Sequence, residues 1–344
     1  MLFAPQDTYP RLVGDIGGTN ARFALIRAPG QDMEAMLTLP CADFPGPAEA
    51  IEHYTAKTGG PRPRWCAFGI ANPIDGDFVK MTNHHWAFSI DALQARLELA
   101  HLQVINDFTA LALALPALTP TDLVAVGRGA AVARRAIGLL GAGTGLGISG
   151  LVPTGEDYVP LEGEGGHVTL AANNAHEAAL IAWLATRYPH VSAERVLSGP
   201  GLVALYEAHA AVAGVPADGL SAAEISSRGL AGASSLCVET LNTFCAFLGT
   251  VAADLALILG ARGGVYIGGG IVPKLGEFFA RSPFRARFED KGRFSAYLAQ
   301  IPTWVIQAPY PGLVGAARAL ERAACAAPGG RSRVCGGTGS RRTD

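Results

Sequence analysis

Apolar residues alternate with others at Leu12, Val13 and Ile16 and again at Phe23 and Leu25. The intervening Gly17-Gly18-Thr19-Asn20 reads as the turn of a β-hairpin. Residues 35–40 can add a third strand. Residues 47–57 carry Ala48, Ile51 and Tyr54 at helical spacing and stop at Gly59-Gly60. A strand is expected over 65–71, a loop over 72–76 and a short strand over 78–81. Ser89 reads as the N-cap of a helix running to about residue 99. Residues 102–105 form a strand with Asn106-Asp107 at its carboxyl end, and a helix over 108–115 stops at Pro116. This alternation marks an α/β domain with a mixed sheet.

A second unit begins near residue 118. A strand over 136–140 runs into Gly141-Ala-Gly-Thr-Gly145, and residues 146–152 return. Strand, Gly/Thr turn and strand thus occur twice, near residues 17 and 144. Residues 158–161 lead to Glu162-Gly-Glu-Gly-Gly-His167. Helices are expected over 174–187, 202–212, 221–230, 234–260, 273–281 and 312–326, with strands over 264–267 and 303–307. The bounds read as a small domain, 1–117 plus 308–326, and a large one, 118–307. The Gly/Arg-rich tail, 327–344, should be disordered and dispensable.

Composition narrows the class. At 344 residues, 49 % apolar and 16 % charged, the chain affords a large core in one large or two medium domains. A net charge of −2 argues against a nucleic-acid partner. Cys41, Cys66, Cys237, Cys245, Cys325 and Cys335 show no CxxC pair and read as reduced thiols of a cytoplasmic protein. The first residues lack a signal-peptide pattern. The longest apolar run, 244–261, is broken by Asp254 and reads as a core helix rather than a membrane span.

Three glycine turns follow strands: Gly17–Asn20, Gly143-Thr144-Gly145 and Gly268-Gly269-Gly270. None ends in the Gly-Lys-Ser/Thr of a Walker loop, and none has the acid that follows a dinucleotide GxGxxG. Together they can surround one triphosphate, the third lying against base or ribose. Asp15, just before the first turn, suits Mg²⁺ held through water. A second set, Asn106, Asp107, Glu164, His167 and Glu194, offers carboxylates, an amide and an imidazole to a polyhydroxylated ligand. Blander readings stand beside these. Asp107 could simply N-cap the following helix, Glu164 could be a solvated turn residue, and Glu194 a first-turn acid. His84, His85, His190 and Asp254 read as structural. A phosphate cradle with a sugar-like pocket implies phosphoryl transfer to a hydroxyl, with Asp107 as the base.

At these residues the chain resembles the bacterial glucokinases of the hexokinase/actin-like ATPase superfamily. The likeness runs from about Leu12 to Leu320. It is carried by Gly14-Asp-Ile-Gly-Gly-Thr-Asn-Ala-Arg22, Met81-Thr-Asn-His84, Ile105-Asn-Asp-Phe-Thr109, Gly141-Ala-Gly-Thr-Gly-Leu-Gly147, Gly163-Glu-Gly-Gly-His-Val168, the run from Val191 to Gly201, Gly268-Gly-Gly-Ile-Val-Pro273 and Phe288-Glu-Asp-Lys-Gly-Arg-Phe294. The resemblance implies a two-domain actin-like ATPase (ribonuclease H-like) fold with an interdomain cleft, the last helix returning to the first domain. It implies that Asn106, Asp107, Glu164, His167 and Glu194 bind glucose. The turns at 17–20 and 143–145 would bind the phosphates of ATP, with Gly268–Gly270 near adenosine. A cytoplasmic homodimer that closes on glucose is implied as well, without nucleic-acid or membrane partners. The Cys-rich zinc motif of the related repressor/open-reading-frame/kinase group is missing, as is an N-terminal DNA-binding module; both favour a sugar kinase over a regulator. A kinase for another hexose or an N-acetylhexosamine is the nearest alternative, and a non-catalytic actin-like ATP switch an alternative of another class.

Overall fold

The computed structural model describes residues 5–82 and 84–326. Asn83 of the Met81–His84 motif and the tail 327–344 lie outside the described residues. The strands are β1 (Arg11–Ile16), β2 (Asn20–Ile26), β3 (Glu34–Pro40), β4 (Trp65–Ile70), β5 (Phe78–Lys80), β6 (Ala87–Ser89), β7 (His101–Asn106), β8 (Leu123–Ala125), β9 (Ile137–Ala142), β10 (Leu146–Thr154), β11 (Asp157–Leu161), β12 (Val265–Gly268) and β13 (Thr303–Ile306). The helices are α1 (Pro47–Thr58), α2 (Ile90–Arg96), α3 (Asp107–Ala114), α4 (Ala175–Ala185), α5 (Gly199–Val212), α6 (Ala222–Leu230), α7 (Ser235–Leu259), α8 (Val272–Leu275), α9 (Glu277–Arg281), α10 (Phe284–Glu289), α11 (Ser295–Ala299) and α12 (Pro311–Ala326).

Two compact units result. The first comprises the chain up to Leu118, the segment Thr154–Pro160 and the chain from Pro309; the second comprises Thr119–Pro153 and Leu161–Ala308. The sequence boundaries do not separate the segment Thr154–Pro160, which is too short to carry a pattern of its own.

The first sheet has the order β3-β2-β1-β4-β7. Its first three strands form an antiparallel meander, and β4 and β7 run parallel to β1. The central strands β1 and β4 are buried almost throughout, as a sheet covered on both faces requires. One face packs on α1 and α2 through Phe23, Ile51, Tyr54, Phe68 and Leu93. The other is covered by α12, which lays Leu313, Ala316 and Leu320 on Val13, Ala24 and Ala67.

The second sheet orders β11-β10-β9-β12-β13-β8. Here β9 takes the place of β1: it pairs antiparallel with β10 and parallel with β12, which in turn pairs parallel with β13. The repeated Gly/Thr hairpin is therefore the visible part of a repeated sheet plan, with β8 added at one edge. The second core gathers round α7, where Leu241, Phe244, Phe247 and Leu248 are fully buried. Among the described residues α7 is the only helix long and apolar enough to cross a membrane, and 72 % of its apolar window is buried in this core.

Several bounds depart from expectation. Helix α2 ends at Arg96 because Glu98 takes a left-handed φ of 53°. The helix expected over 273–281 is split at Gly276, whose φ of 52° and ψ of −127° belong to glycine. Cys41, Cys66, Cys237 and Cys245 are free and buried. Cys325 is disulfide-bonded, against the expected thiol; it sits half-buried near the end of α12 rather than in the core.

Candidate active site

In the first unit three strands end in line. Register places Ile16 of β1 beside Ile70 of β4, and Ile70 beside Asn106 of β7. The turn after β1 and the Asn106-Asp107 pair therefore share the carboxyl edge of the parallel strands, where ligands gather in α/β sheets, about 10 Å apart at two strand spacings. Asn106, not Asp107, is the N-cap of α3: its Oδ1 accepts from Phe108 N–H at 2.8 Å and from Thr109 N–H at 3.2 Å. This corrects the reading of Asp107 as the cap. Asp107 is the first residue of the helix proper, and its Oδ1 accepts from Phe108 N–H at 2.9 Å. A carboxylate there is favoured by the helix dipole.

One residue missed in the sequence braces this edge. Asn72, after β4, accepts through its carbonyl from Asn106 Nδ2 at 3.4 Å. Its side-chain Oδ1 accepts from Thr82 N–H and Oγ1–H at 3.2 and 3.0 Å. Asn72-Pro73 at a strand end was the available signal. Helix α3 is seated by glycine: a Cβ on Gly315 of α12 would fall inside the carbonyl oxygen of Ala110, and one on Gly69 would lie 3.0 Å from Ala110 Cβ. Only Gly at 315 lets the two helix backbones touch.

Asp15 lies opposite Arg22 in the β1–β2 ladder, and Arg22 Nη1 reaches its Oδ2 at 3.3 Å. Burial pushes the Asp15 carboxyl above its usual range, and the Arg22 guanidinium opposes the shift. The backbone at the start of α12 stands against the carboxylate, since a Cβ on Gly312 would be 3.0 Å from Asp15 Cγ. In the turn, Gly17 N–H is spent on Asn20 O at 2.9 Å, leaving Gly18 and exposed Thr19 at the tip.

In the second unit the expected segments meet one another. Gly143 N–H closes its turn on Gly145 O, and Gly143 O accepts from Gly199 N–H, both at 2.8 Å. The turn thus abuts the N-terminus of α5. Ser198 caps that helix, accepting from Gly201 N–H at 3.0 Å; Ser198-Gly-Pro-Gly was the unread signal. Glu194 Oε2 accepts from Leu146 N–H at 2.9 Å, and Glu194 N–H donates to Gly166 O at 2.9 Å. Glu194 therefore ties the Gly143–Gly145 turn to the Glu164–His167 segment. In that segment His167 Nε2 lies 3.9 Å from Glu164 Oε2, and both side chains are more than half exposed. The third turn joins the second: a Cβ on Gly141 would lie 2.6 Å from Gly268 C, and Ile271 N–H donates to Ala142 O at 3.1 Å. Gly269, at φ 81°, needs its glycine.

Asp254 is paired with Lys291 Nζ at 2.6 Å, His85 lies 3.0 Å from Phe44 O, and His190 lies 3.0 Å from Thr169 Oγ1. His84 Nδ1 is buried without a partner among the described residues.

The comparisons with known proteins agree in one direction. A family model described as glucokinase matches residues 12–323. A glucokinase of Aromatoleum aromaticum is 59 % identical over 319 residues, covering 92 % of this chain and 96 % of that protein. A glucokinase of Chromobacterium violaceum is 52 % identical, covering 91 and 90 %. The crystal structure of a glucokinase from an Antarctic psychrotroph superposes with a TM-score of 0.84 at 41 % identity, covering 91 % of this chain and 99 % of that one. The repeated sheet plan is that of the two-domain actin-like ATPase fold, and the chain belongs to the glucokinase family.

Proposed function

We propose that this chain transfers the γ-phosphoryl group of ATP to the 6-hydroxyl of D-glucose, with Asp107 as the general base. The observation that carries the reading is the placement of a carboxylate, Asp107, at the carboxyl end of β7, beside an asparagine whose own oxygen is occupied in capping α3. Asn106 fixes the helix start, which supports reading the carboxylate beside it as the base.

In the reaction the sugar 6-oxygen bonds to the γ-phosphorus while the bond from that phosphorus to the β,γ-bridging oxygen breaks. The hydroxyl proton passes to Asp107. A sugar hydroxyl is far less acidic than a carboxylic acid, so the proton moves late and the carboxylate chiefly orients the nucleophile. Glu164, His167 and Glu194 contribute to sugar binding. The Glu194 oxygen bonded to Leu146 N–H also keeps the Gly143–Gly145 turn in place for phosphate. Gly18, Thr19 and Thr144 supply further donors to phosphate, and Gly268–Gly270 lies against adenosine.

Mg²⁺ needs one or two carboxylates, with phosphate oxygens and water completing its shell. Asp15 fits: Arg22 engages only its Oδ2. Bound there through water, the ion would neutralise charge on the phosphates. The family resemblance supports a cytoplasmic homodimer serving glycolysis.

The test is a coupled assay of ADP release with glucose, with other hexoses, with N-acetylglucosamine and with no sugar. Glucose-dependent release is expected. The variant Asp107→Asn should lose about 10²- to 10⁴-fold in kcat, the usual share of a general base, with KM for ATP unchanged. Sugar-independent ATP hydrolysis would point to a switch, turnover of another hexose alone to a different kinase, and near-normal Asp107→Asn turnover would remove Asp107 as base.

A further inference from the structure

Three helices of the second unit bring two imidazoles and a carboxylate to one point. His176 stands in the first turn of α4, His209 near the end of α5 and Glu239 near the start of α7. His176 Nε2 is 3.4 Å from His209 Nδ1 and 3.5 Å from Glu239 Oε1. His209 Nδ1 is 3.9 Å from the same oxygen. None of the three belongs to the sets assigned above to nucleotide or sugar.

The spacing is the first argument. Three atoms so separated share a centre about 2.1 Å from each, which is the length of a zinc–imidazole bond. The chemistry of the set is the second. Two imidazoles and one carboxylate suit Zn²⁺ and its neighbours Co²⁺ and Ni²⁺, whereas Mg²⁺ and Ca²⁺ prefer oxygen alone. The outer partner is the third. Thr243 Oγ1 lies 3.0 Å from His209 Nε2. With Nε2–H donated to that hydroxyl, Nδ1 turns its lone pair toward His176 and Glu239, as a second hydrogen bond does for metal-bound histidines.

Access is also provided. The side chain of His209 is 1 % exposed, whereas those of His176 and Glu239 are 45 and 54 % exposed. The latter two line a groove of about 890 Å³ with Asn242 and Thr243. Solvent can therefore supply the fourth ligand.

We propose that His176, His209 and Glu239 form a binding site for one divalent transition-metal ion of the zinc class, completed by water. An ion there links α4, α5 and α7 and stabilises the second unit without entering the phosphoryl transfer.

The test uses the full chain, stripped with a chelator and free of nucleotide, titrated with Co²⁺ and then with Zn²⁺. One equivalent of Co²⁺ should bind with the intense visible bands of a four-coordinate ion, and Zn²⁺ should displace it and raise the melting temperature. His176→Ala and Glu239→Ala alter exposed side chains and should fold, checked by circular dichroism. Each should weaken Co²⁺ binding by at least about tenfold and lose the melting shift, as removal of groups that hold a metal does. Absence of Co²⁺ uptake by the parent protein, or an unchanged affinity and spectrum in both variants, overturns the proposal.

Discussion

Gly145→Ala probes the junction between the proposed phosphate turn and the proposed sugar-binding set. Gly145 lies outside the left-handed φ range, so alanine brings no left-handed strain there. Its Cβ, however, would lie 2.5 Å from Glu194 Oε2. The obstacle is the end of a flexible side chain, so the clash itself is cheaply relieved by swinging the carboxylate away. The loss lies in what that movement breaks. Glu194 Oε2 is the acceptor for Leu146 N–H, and Leu146 is 5 % exposed, so the amide is left buried and unpaired. An orphaned buried donor costs about 1–3 kcal/mol. If the cost falls on the ligand-bound state, it corresponds to about 5- to 150-fold in kcat/KM. Steady-state kinetics varying ATP and glucose separately locate the loss. Glu194→Gln is the control: the amide oxygen still accepts from Leu146 N–H, so KM for ATP should stay within about threefold while KM for glucose rises through the lost charge. Gly145→Ala with both kcat/KM values within twofold of the parent would refute the reasoning, because the carboxylate would then have moved without consequence.

Gly315→Ala should destabilise the first unit by several kcal/mol, since a backbone carbonyl, that of Ala110, cannot give way as a side chain can; an unchanged urea midpoint would exclude the tight α3–α12 packing. Arg287 makes a two-pronged ion pair with Glu177 at 2.7 and 3.1 Å, with side chains 13 and 4 % exposed. Arg287→Ala should cost about 3–5 kcal/mol by stranding the carboxylate, measured by denaturant unfolding, and a loss under 1 kcal/mol would contradict it. Asp15→Asn should raise stability at pH 7 while lowering activity. Its folded carboxyl holds the proton to higher pH than the unfolded one, so its stabilisation is complete below the ordinary pKa of 3.8 and is lost as pH rises through the folded value. The advantage of the variant should therefore vanish in acid, and a variant less stable at pH 7 would sink the account.

What could be read in the chain follows from where information is local. The Leu12–Leu25 hairpin shows itself because a two-period apolar pattern flanks a glycine pair, and its echo near Gly143 exposes the repeated plan. The strands β6 and β8, with three residues each, carry no period to detect. The split at Gly276 rests on one backbone angle, and glycine within an apolar helical pattern does not announce it. The roles of Asn106 and Asp107 could not be separated by spacing, since either can cap the helix that follows. The side-chain rotamer decides, and Asn106 takes the cap. Glu194 is harder still: its partner is 48 residues away, and only the closed second unit brings them together. His176, His209 and Glu239 lie on three helices, so no linear spacing could have signalled their convergence.

The covering of β1 by α12 has a consequence for synthesis. Val13 and Ala24 leave the ribosome early, yet Leu313, Ala316 and Leu320, which shield them, are made about 290 residues later. At ordinary translation rates the interval is roughly 15 to 60 s. For that time one face of the first sheet stands open in the nascent chain, whereas the helices around α7 already lie close together in sequence and can assemble as they emerge. A message broken before codon 311 would leave that face bare permanently, giving chaperones and proteases an apolar mark by which to tell an unfinished chain from a finished one.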